Sequence, residues 1–237
     1  MRVLPIGSFD IILTAIHTGW YADRESNGIM TSPHMDETRL SLLNAAYEEI
    51  HRQGFQAASL TAILEHTGVT KGALYHHFSS KQALGYAVVD ELIRPGMHKT
   101  WIEPLKHSSL PPLERLRHTI TLAGEQLDDA EIRLGCPLNN LAQEMSPIDE
   151  GFRTRTNAIY REWRESIAAT LQEGQEMGMV STDLEPNETA LFIIASLGGC
   201  LSIAKNAQSR EALFRCGKGL LSYLQSLGSR SDERQQI

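Results

Sequence analysis

Residues Ser59 to Lys81 read Ser-Leu-Thr-Ala-Ile-Leu-Glu-His-Thr-Gly-Val-Thr-Lys-Gly-Ala-Leu-Tyr-His-His-Phe-Ser-Ser-Lys. The order predicts two short helices around a tight turn. Ser59 is placed to cap the first helix, and Leu60, Ile63 and Leu64 recur at helical spacing on one buried face. Gly68 ends that helix, because glycine enters the left-handed C-cap without steric cost. Val69 fills the turn. Thr70 caps a second helix over about Lys71 to Phe78, in which Leu74 and Phe78 stand at i and i+4. Ser79 or Ser80 caps a third, which begins near Lys81.

This is the layout of a helix-turn-helix, whose second helix lies in the DNA major groove with its N-terminal residues on base edges. The exposed side chains suit that task. Lys71 carries charge, Gly72 and Ala73 allow close approach, and Tyr75, His76 and His77 present polar tips near the phosphates. The plainer reading is a helical hairpin that never meets DNA. It has to explain why a short helix exposes Lys, Gly, Ala and a Tyr-His-His run in place of strong helix formers.

The run Thr67 to Lys81, above all Leu-Tyr-His-His-Phe followed by Ser-Ser-Lys, closely resembles the DNA-binding signature of the TetR family of bacterial transcriptional regulators. The resemblance covers about Glu37 to Val89. It implies an all-α chain: a three-helix head over 36–82, joined by a long fourth helix to a helical body over 83–228 that binds an effector and dimerises. It also implies a DNA surface in which Lys71, Gly72, Ala73 and His76 lie near bases while Ser59, Thr70, Tyr75, His77 and Lys81 hold phosphates.

Composition describes an ordinary globular chain. Of 237 residues, 41% are hydrophobic and 22% charged, and the net charge is −7. Even the head is not basic: Asp36, Glu37, Glu48, Glu49 and Glu65 face Arg39, Arg52, Lys71 and Lys81. A DNA surface therefore has to be a local patch, with salt-sensitive affinity. Cys136, Cys200 and Cys216 form no CxxC pair and suit a reducing cytoplasm better than a disulfide scaffold. The longest apolar run, Ala190 to Ala204, is short of a membrane span and contains Ser196, Gly198 and Gly199.

Residues 1–35 stand outside the pattern. They are expected to be a disordered or non-native extension, with Met35 as an alternative start, or less simply an arm for the minor groove carrying Arg2 and Arg24. A first helix over about Asp36 to Gln53 has Leu40, Leu43, Tyr47 and Ile50 as its stripe and Gly54 as its stop. In the fourth helix, Pro95-Gly96 predicts a kink or break, a hinge or a packing bend. Pro111-Pro112 opens the fifth helix, and Asp128-Asp129 and Gly135 bound a loop. Three further long helices follow, one over about 150–178, one that starts at Glu185-Pro186 and runs through Leu191, Ile194, Leu197 and Leu201, and one over about 209–227, and 229–237 is expected to fray.

Gly-Cys-Pro-Leu-Asn-Asn-Leu-Ala-Gln-Glu-Met-Ser, from Gly135 to Ser146, resembles an element of one C-terminal subtype in the same family. Some of that subtype sense electrophiles or small unsaturated compounds. Pro137 suits a first helical turn, which puts Cys136 at the N-cap, where free amides favour a thiolate. Cys200 and Cys216, mid-helix among apolar neighbours, read as inert. The expected sensor or effector group is Cys136, Trp101, Met145, Tyr160, Trp163 and Lys205, although aromatic residues at this spacing are commonly plain core. The last two helices are very apolar, and the resemblance implies that they form a four-helix bundle across a homodimer. Leu197, Gly198, Leu201, Leu213, Leu220 and Leu224 are its expected contacts.

The reading is a cytoplasmic, homodimeric repressor that binds a palindromic double-stranded operator and is released by a small effector, with no cofactor, metal or membrane. An activator or effector-independent regulator is the alternative. A cysteine-dependent enzyme lacks any framework, since HExxH, GxSxG and phosphate-cradling loops are absent and Cys136 has no visible base.

Overall fold

The computed structural model describes residues 37–106 and 108–229. The expectations for 1–35, and for all but the first residue of the 229–237 tail, lie outside these residues. Twelve α-helical segments make up the described chain, whose sole β contact is an isolated bridge between Val180 and Gly228. The all-α expectation holds.

Helix α1 (Glu37–Gln53) buries Leu42, Leu43, Ala46 and Ile50, a stripe rotated from the expected one, with Leu40 and Tyr47 only half-buried. Gly54, at φ +83°, turns the chain out of it. Helix α2 (Leu60–Thr67) is capped by Ser59, which accepts from the Ala62 amide, and ends on Gly68 at φ 67°. Helix α3 (Lys71–His77) is capped by Thr70, with Leu74 and Phe78 buried beneath it. Ser80, not Ser79, caps α4 (Lys81–Val88).

From there the chain stays helical over 81–106: a π turn (Val89–Ile93), α5 (Arg94–Met97), a second π turn (His98–Ile102) and α6 (Glu103–Lys106). The break expected at Pro95-Gly96 is absent. Wide turns on either side take up the mismatch that a missing amide imposes, with the Arg94 N–H bonding Val89 O and the Glu103 N–H bonding His98 O. The loop expected after Asp128 is also corrected. It is a short helix, α8 (Asp129–Leu134), following α7 (Pro112–Gln126), and a capping box of Asp128 and Glu131 sets its start.

The body is completed by α9 (Pro137–Met145), α10 (Glu150–Glu176), α11 (Pro186–Ala207) and α12 (Arg210–Ser226). Phe152, Ile159, Ile167 and Leu171 on α10 are almost wholly buried. Arg115 on α7 is buried too. It donates to both carboxylate oxygens of Glu173 at 2.9 Å and to the carbonyls of Leu105 and Leu110. A Cβ on Gly85 would stand 2.5 Å from the Phe55 ring and 2.7 Å from Phe152, so glycine permits the approach of α4 to both.

Three expectations about α11 and α12 change. Helix α11, 22 residues long, is apolar enough by length and composition to cross a membrane, because the helix extends past the run read from sequence; a third of its apolar window is buried here. Cys200 and Cys216 are not separate inert thiols: packing of α11 on α12 brings their Cα atoms to 5.4 Å, and a disulfide joins them. Leu213, Leu220 and Leu224, expected at a dimer surface, are buried in the protomer's own core. The apolar residues that these helices expose are Leu191, Phe192, Ile203 and Phe214, between 42% and 58% accessible.

Candidate DNA-reading head and effector cavity

Two caps build the reading surface. The hydroxyls of Ser59 and Thr70 accept from the Ala62 and Ala73 amides at 3.3 and 3.2 Å and fix where α2 and α3 begin. Buried Leu74 and Phe78 anchor the underside of α3, which leaves Lys71, Gly72, Tyr75 and His76 exposed on the other face. The Lys71 ammonium lies 6.0 Å from the Tyr75 ring centre, and the His76 and His77 rings stand 5.2 Å apart. Gly72 has open space around it: an added Cβ would meet only Thr70 Oγ1, at 4.0 Å. Nothing within the chain needs a glycine there, although glycine weakens a helix by about 1 kcal/mol relative to alanine. Lys81 is partly turned inward, donating to Gln56 O at 3.0 Å over the Phe55 ring.

The head meets α9 along one seam. Both oxygens of Glu144 accept main-chain N–H groups at 2.8 Å, from Phe55 and from Gln56. Nearby, His51 Nε2 donates to Gly135 O at 2.7 Å, which fixes the neutral ring's proton on Nε2. Burial holds His51 below the ordinary histidine value; the Gly135 bond opposes this and the Lys205 charge adds to it. Further along, Asp149 caps α10 and accepts from the Tyr86 hydroxyl and the Gln82 amide.

On its other side α9 borders a cavity of about 650 Å³, shared with the second π turn, α10 and α11. Trp101, Cys136, Tyr160 and Trp163 all line it, with the two indoles 4.9 Å apart. Two expected members are elsewhere. Met145 is buried in the core, and Lys205 lines a separate crevice of about 520 Å³ with Tyr47 and His51, where its Cδ would lie 3.0 Å from a Cβ on Gly135. Cys136 is the N-cap of α9 as its sequence predicts, yet the consequence expected for its thiol is reversed. Burial pushes the thiol up, and the amides of Leu138 and Asn139 recover only part of that. Sequence reasoning missed Glu144, Asn139, Arg161 and Arg164. Arg161 and Arg164 repeat the spacing of Tyr160 and Trp163 one residue on, a signal obscured by attention to the aromatics.

Comparison with known proteins agrees with this architecture. Residues 42–88 match the family described as bacterial regulatory proteins, tetR family, and residues 112–219 match the tetracyclin repressor-like C-terminal domain. The HTH-type transcriptional repressor DhaR of Mycobacterium sp. (strain GP1) is 31% identical over 175 residues, 74% of this chain and 86% of its own. The transcriptional regulator AcuR of Cereibacter sphaeroides is 29% identical over 67% of this chain and 72% of its own. The crystal structure of a regulatory protein TetR from Rhodobacter sphaeroides superposes with a TM-score of 0.71, at 26% identity, over 78% of this chain and 98% of that one. The chain belongs to the TetR family of bacterial regulatory proteins and is a DNA-binding transcriptional regulator with a helix-turn-helix head.

Proposed function

We propose that this regulator is a homodimeric repressor, held on a palindromic operator in the cytoplasm and released when a small molecule fills the cavity beside α9. One observation carries the reading. Helix α9 borders the cavity through Cys136 and Asn139 and, from Glu144, holds the main chain of the head at Phe55 and Gln56. A ligand that shifts α9 has a direct route to α2 and α3. It acts only if it binds the DNA-free arrangement better, and a coupling of about 1–3 kcal/mol is ordinary for such a switch.

Lys71, Gly72, Ala73 and His76 are assigned to bases, and Ser59, Thr70, Tyr75, His77 and Lys81 to phosphates. The dimer is assigned to the exposed apolar faces of α11 and α12, with Leu191, Phe192, Ile203 and Phe214 in place of the buried leucines, and with Leu197, Gly198 and Leu201 half-buried beside them. Covalent sensing at Cys136 is the second reading, and it rests on the Gly-Cys-Pro-Leu element. The raised thiol disfavours it, because the thiolate is the nucleophile.

Fluorescence anisotropy with DNA from the chain's own upstream region tests the proposal. Binding should be sequence-specific and weaken with salt. Tyr75→Phe should weaken binding to every sequence, whereas Lys71→Ala should also relax specificity. If neither substitution changes operator affinity, the assigned surface is wrong. If a thiol-modifying electrophile releases the DNA and Cys136→Ser prevents it, the covalent reading displaces the reversible one.

A further inference from the structure

Cys200 on α11 and Cys216 on α12 are joined by a disulfide across the hairpin that these helices form. Cys200, Gln208 and Cys216 are evenly spaced, eight residues apart, and Gln208 turns the chain at φ 50°, a conformation that favours glycine. Another residue keeps such a conformation where its surroundings fix it. Gln208 Nε2 donates to Lys205 O and to Arg133 O on α8, and Arg210 donates to Leu127 O and Asp129. The disulfide lies in a small apolar cluster apart from the main core. Ile132 on α8, Cys200 and Ala204 on α11 and Leu213 on α12 are buried there, with Cys216 half-buried against them. Helix α8 runs directly into Gly135, whose carbonyl accepts His51 Nε2 of the head. Disulfide, cluster, α8 and head therefore form one continuous series of contacts.

We propose that Cys200 and Cys216 are a reversible modification site for small thiols and small disulfides, and that its state sets how firmly α8 holds the head at His51. Disulfides are rare in a reducing cytoplasm, and those found there are mostly transient or redox-sensing. This inference rests on the cytoplasmic setting proposed above. Cys200 is 3% exposed and Cys216 is half-buried, so a small thiolate attacks Cys216 Sγ. The S–S bond breaks, a mixed disulfide forms on Cys216, and Cys200 leaves as a thiolate that takes up a proton. A second small thiolate attacks the small thiol's sulfur in that mixed disulfide and frees Cys216, which is protonated in turn. Two small thiols are thereby oxidised to one small disulfide, and the protein disulfide gains two electrons. An excess of small disulfide drives the reverse. Reduction removes the cross-link and leaves the small cluster and the Gln208 turn to hold α8 by packing and hydrogen bonds alone.

The test equilibrates the native full chain in glutathione buffers, quenches it with N-ethylmaleimide in denaturant and reads the intact mass. The disulfide form takes one adduct, on Cys136, and the reduced form takes three. Three adducts should dominate at about 100:1 reduced to oxidised glutathione, and one when oxidised glutathione is in excess, with full return on switching back. A disulfide that persists at about 100:1 is structural and overturns the proposal, as does a pair that stays reduced in excess oxidised glutathione. A pair that exchanges in buffer yet stays oxidised in growing cells removes the cytoplasmic setting, and the switch with it. Hydrogen exchange reads the coupling. Amides of 129–135 and 208–213 should exchange at least ~5-fold faster in the reduced chain. Operator affinity should differ by at least ~5-fold between the two forms. Cys200→Ala and Cys216→Ala should each match the reduced chain in either buffer. If Cys200→Ala, which hollows the buried cluster, fails to fold, Cys216→Ala carries the comparison. Exchange rates and affinity indifferent to oxidation state would overturn the coupling.

Discussion

Gly72 gives the proposed reading surface its sharpest test. Its surroundings leave room for a side chain, which supports the proposed close approach of α3 to bases. Gly72→Ala should therefore stabilise the head by about 0.5–1 kcal/mol in a denaturant melt while weakening operator binding by ~10-fold or more in anisotropy. An alanine that stabilises and binds as well as glycine would take the start of α3 off the bases. His51 gives a residue-scale pH signature. Its folded value lies below the ordinary 6.5, so its neutral form is what the fold prefers. The contribution is complete above about 6.5 and is lost as pH falls toward the lowered value, because the unfolded chain then binds the extra proton. Thermal melts from pH 7.5 to 5.5 should show a loss that His51→Gln reduces; identical pH profiles would remove His51 from the account. The head residues were legible in the sequence because caps, turn glycine and buried i, i+4 pairs are local. The raised thiol of Cys136 was not, since burial depends on residues far along the chain.

Among elements, α9 touches both the head and the cavity through polar contacts, and α10 does so through Phe152 on the Phe55 ring. Removing the carboxylate with Glu144→Ala leaves the part-buried Phe55 amide without its acceptor, at a cost of about 1 kcal/mol, while water takes the exposed Gln56 amide. The expected result is operator affinity within a few-fold of the parent and a lost response to effector. An unchanged response would place the route elsewhere, along the 81–106 rod for instance. Element starts were readable wherever a cap residue announced them. The short α8 could have been read from Asp128 and Glu131, whose spacing is that of a capping box. The unbroken helix past Pro95 could not, because the π turns that accommodate it are settled by packing of the rod against α10. The stripe on α1 rotated for the same reason: periodicity gives the pitch of an apolar face, and its neighbours choose the centre.

For the whole molecule, the proposed dimer rests on the exposed apolar faces of α11 and α12. Phe192 and Ile203 are more than half accessible, which costs solubility in a lone protomer. Phe192→Asp with Ile203→Asp should yield monomers in sedimentation at micromolar concentration and lose operator affinity, since each head then reads one half-site. A stable dimer in that variant would move the interface. The family resemblance implied these helices as dimer elements, and three of the leucines read from sequence, Leu213, Leu220 and Leu224, are buried within the protomer. Which apolar residues face inward is a property of the packed bundle. The Glu144 seam has a further consequence. It grips two main-chain N–H groups, which any residue other than proline supplies, and none of the side chains that face DNA. Under the proposed mechanism, base preference can drift through substitutions along α3 while the seam itself is kept. If effector release runs through this seam, a head grafted from a relative with the same backbone at 54–56 should answer to this body, which operator anisotropy on the chimera would check.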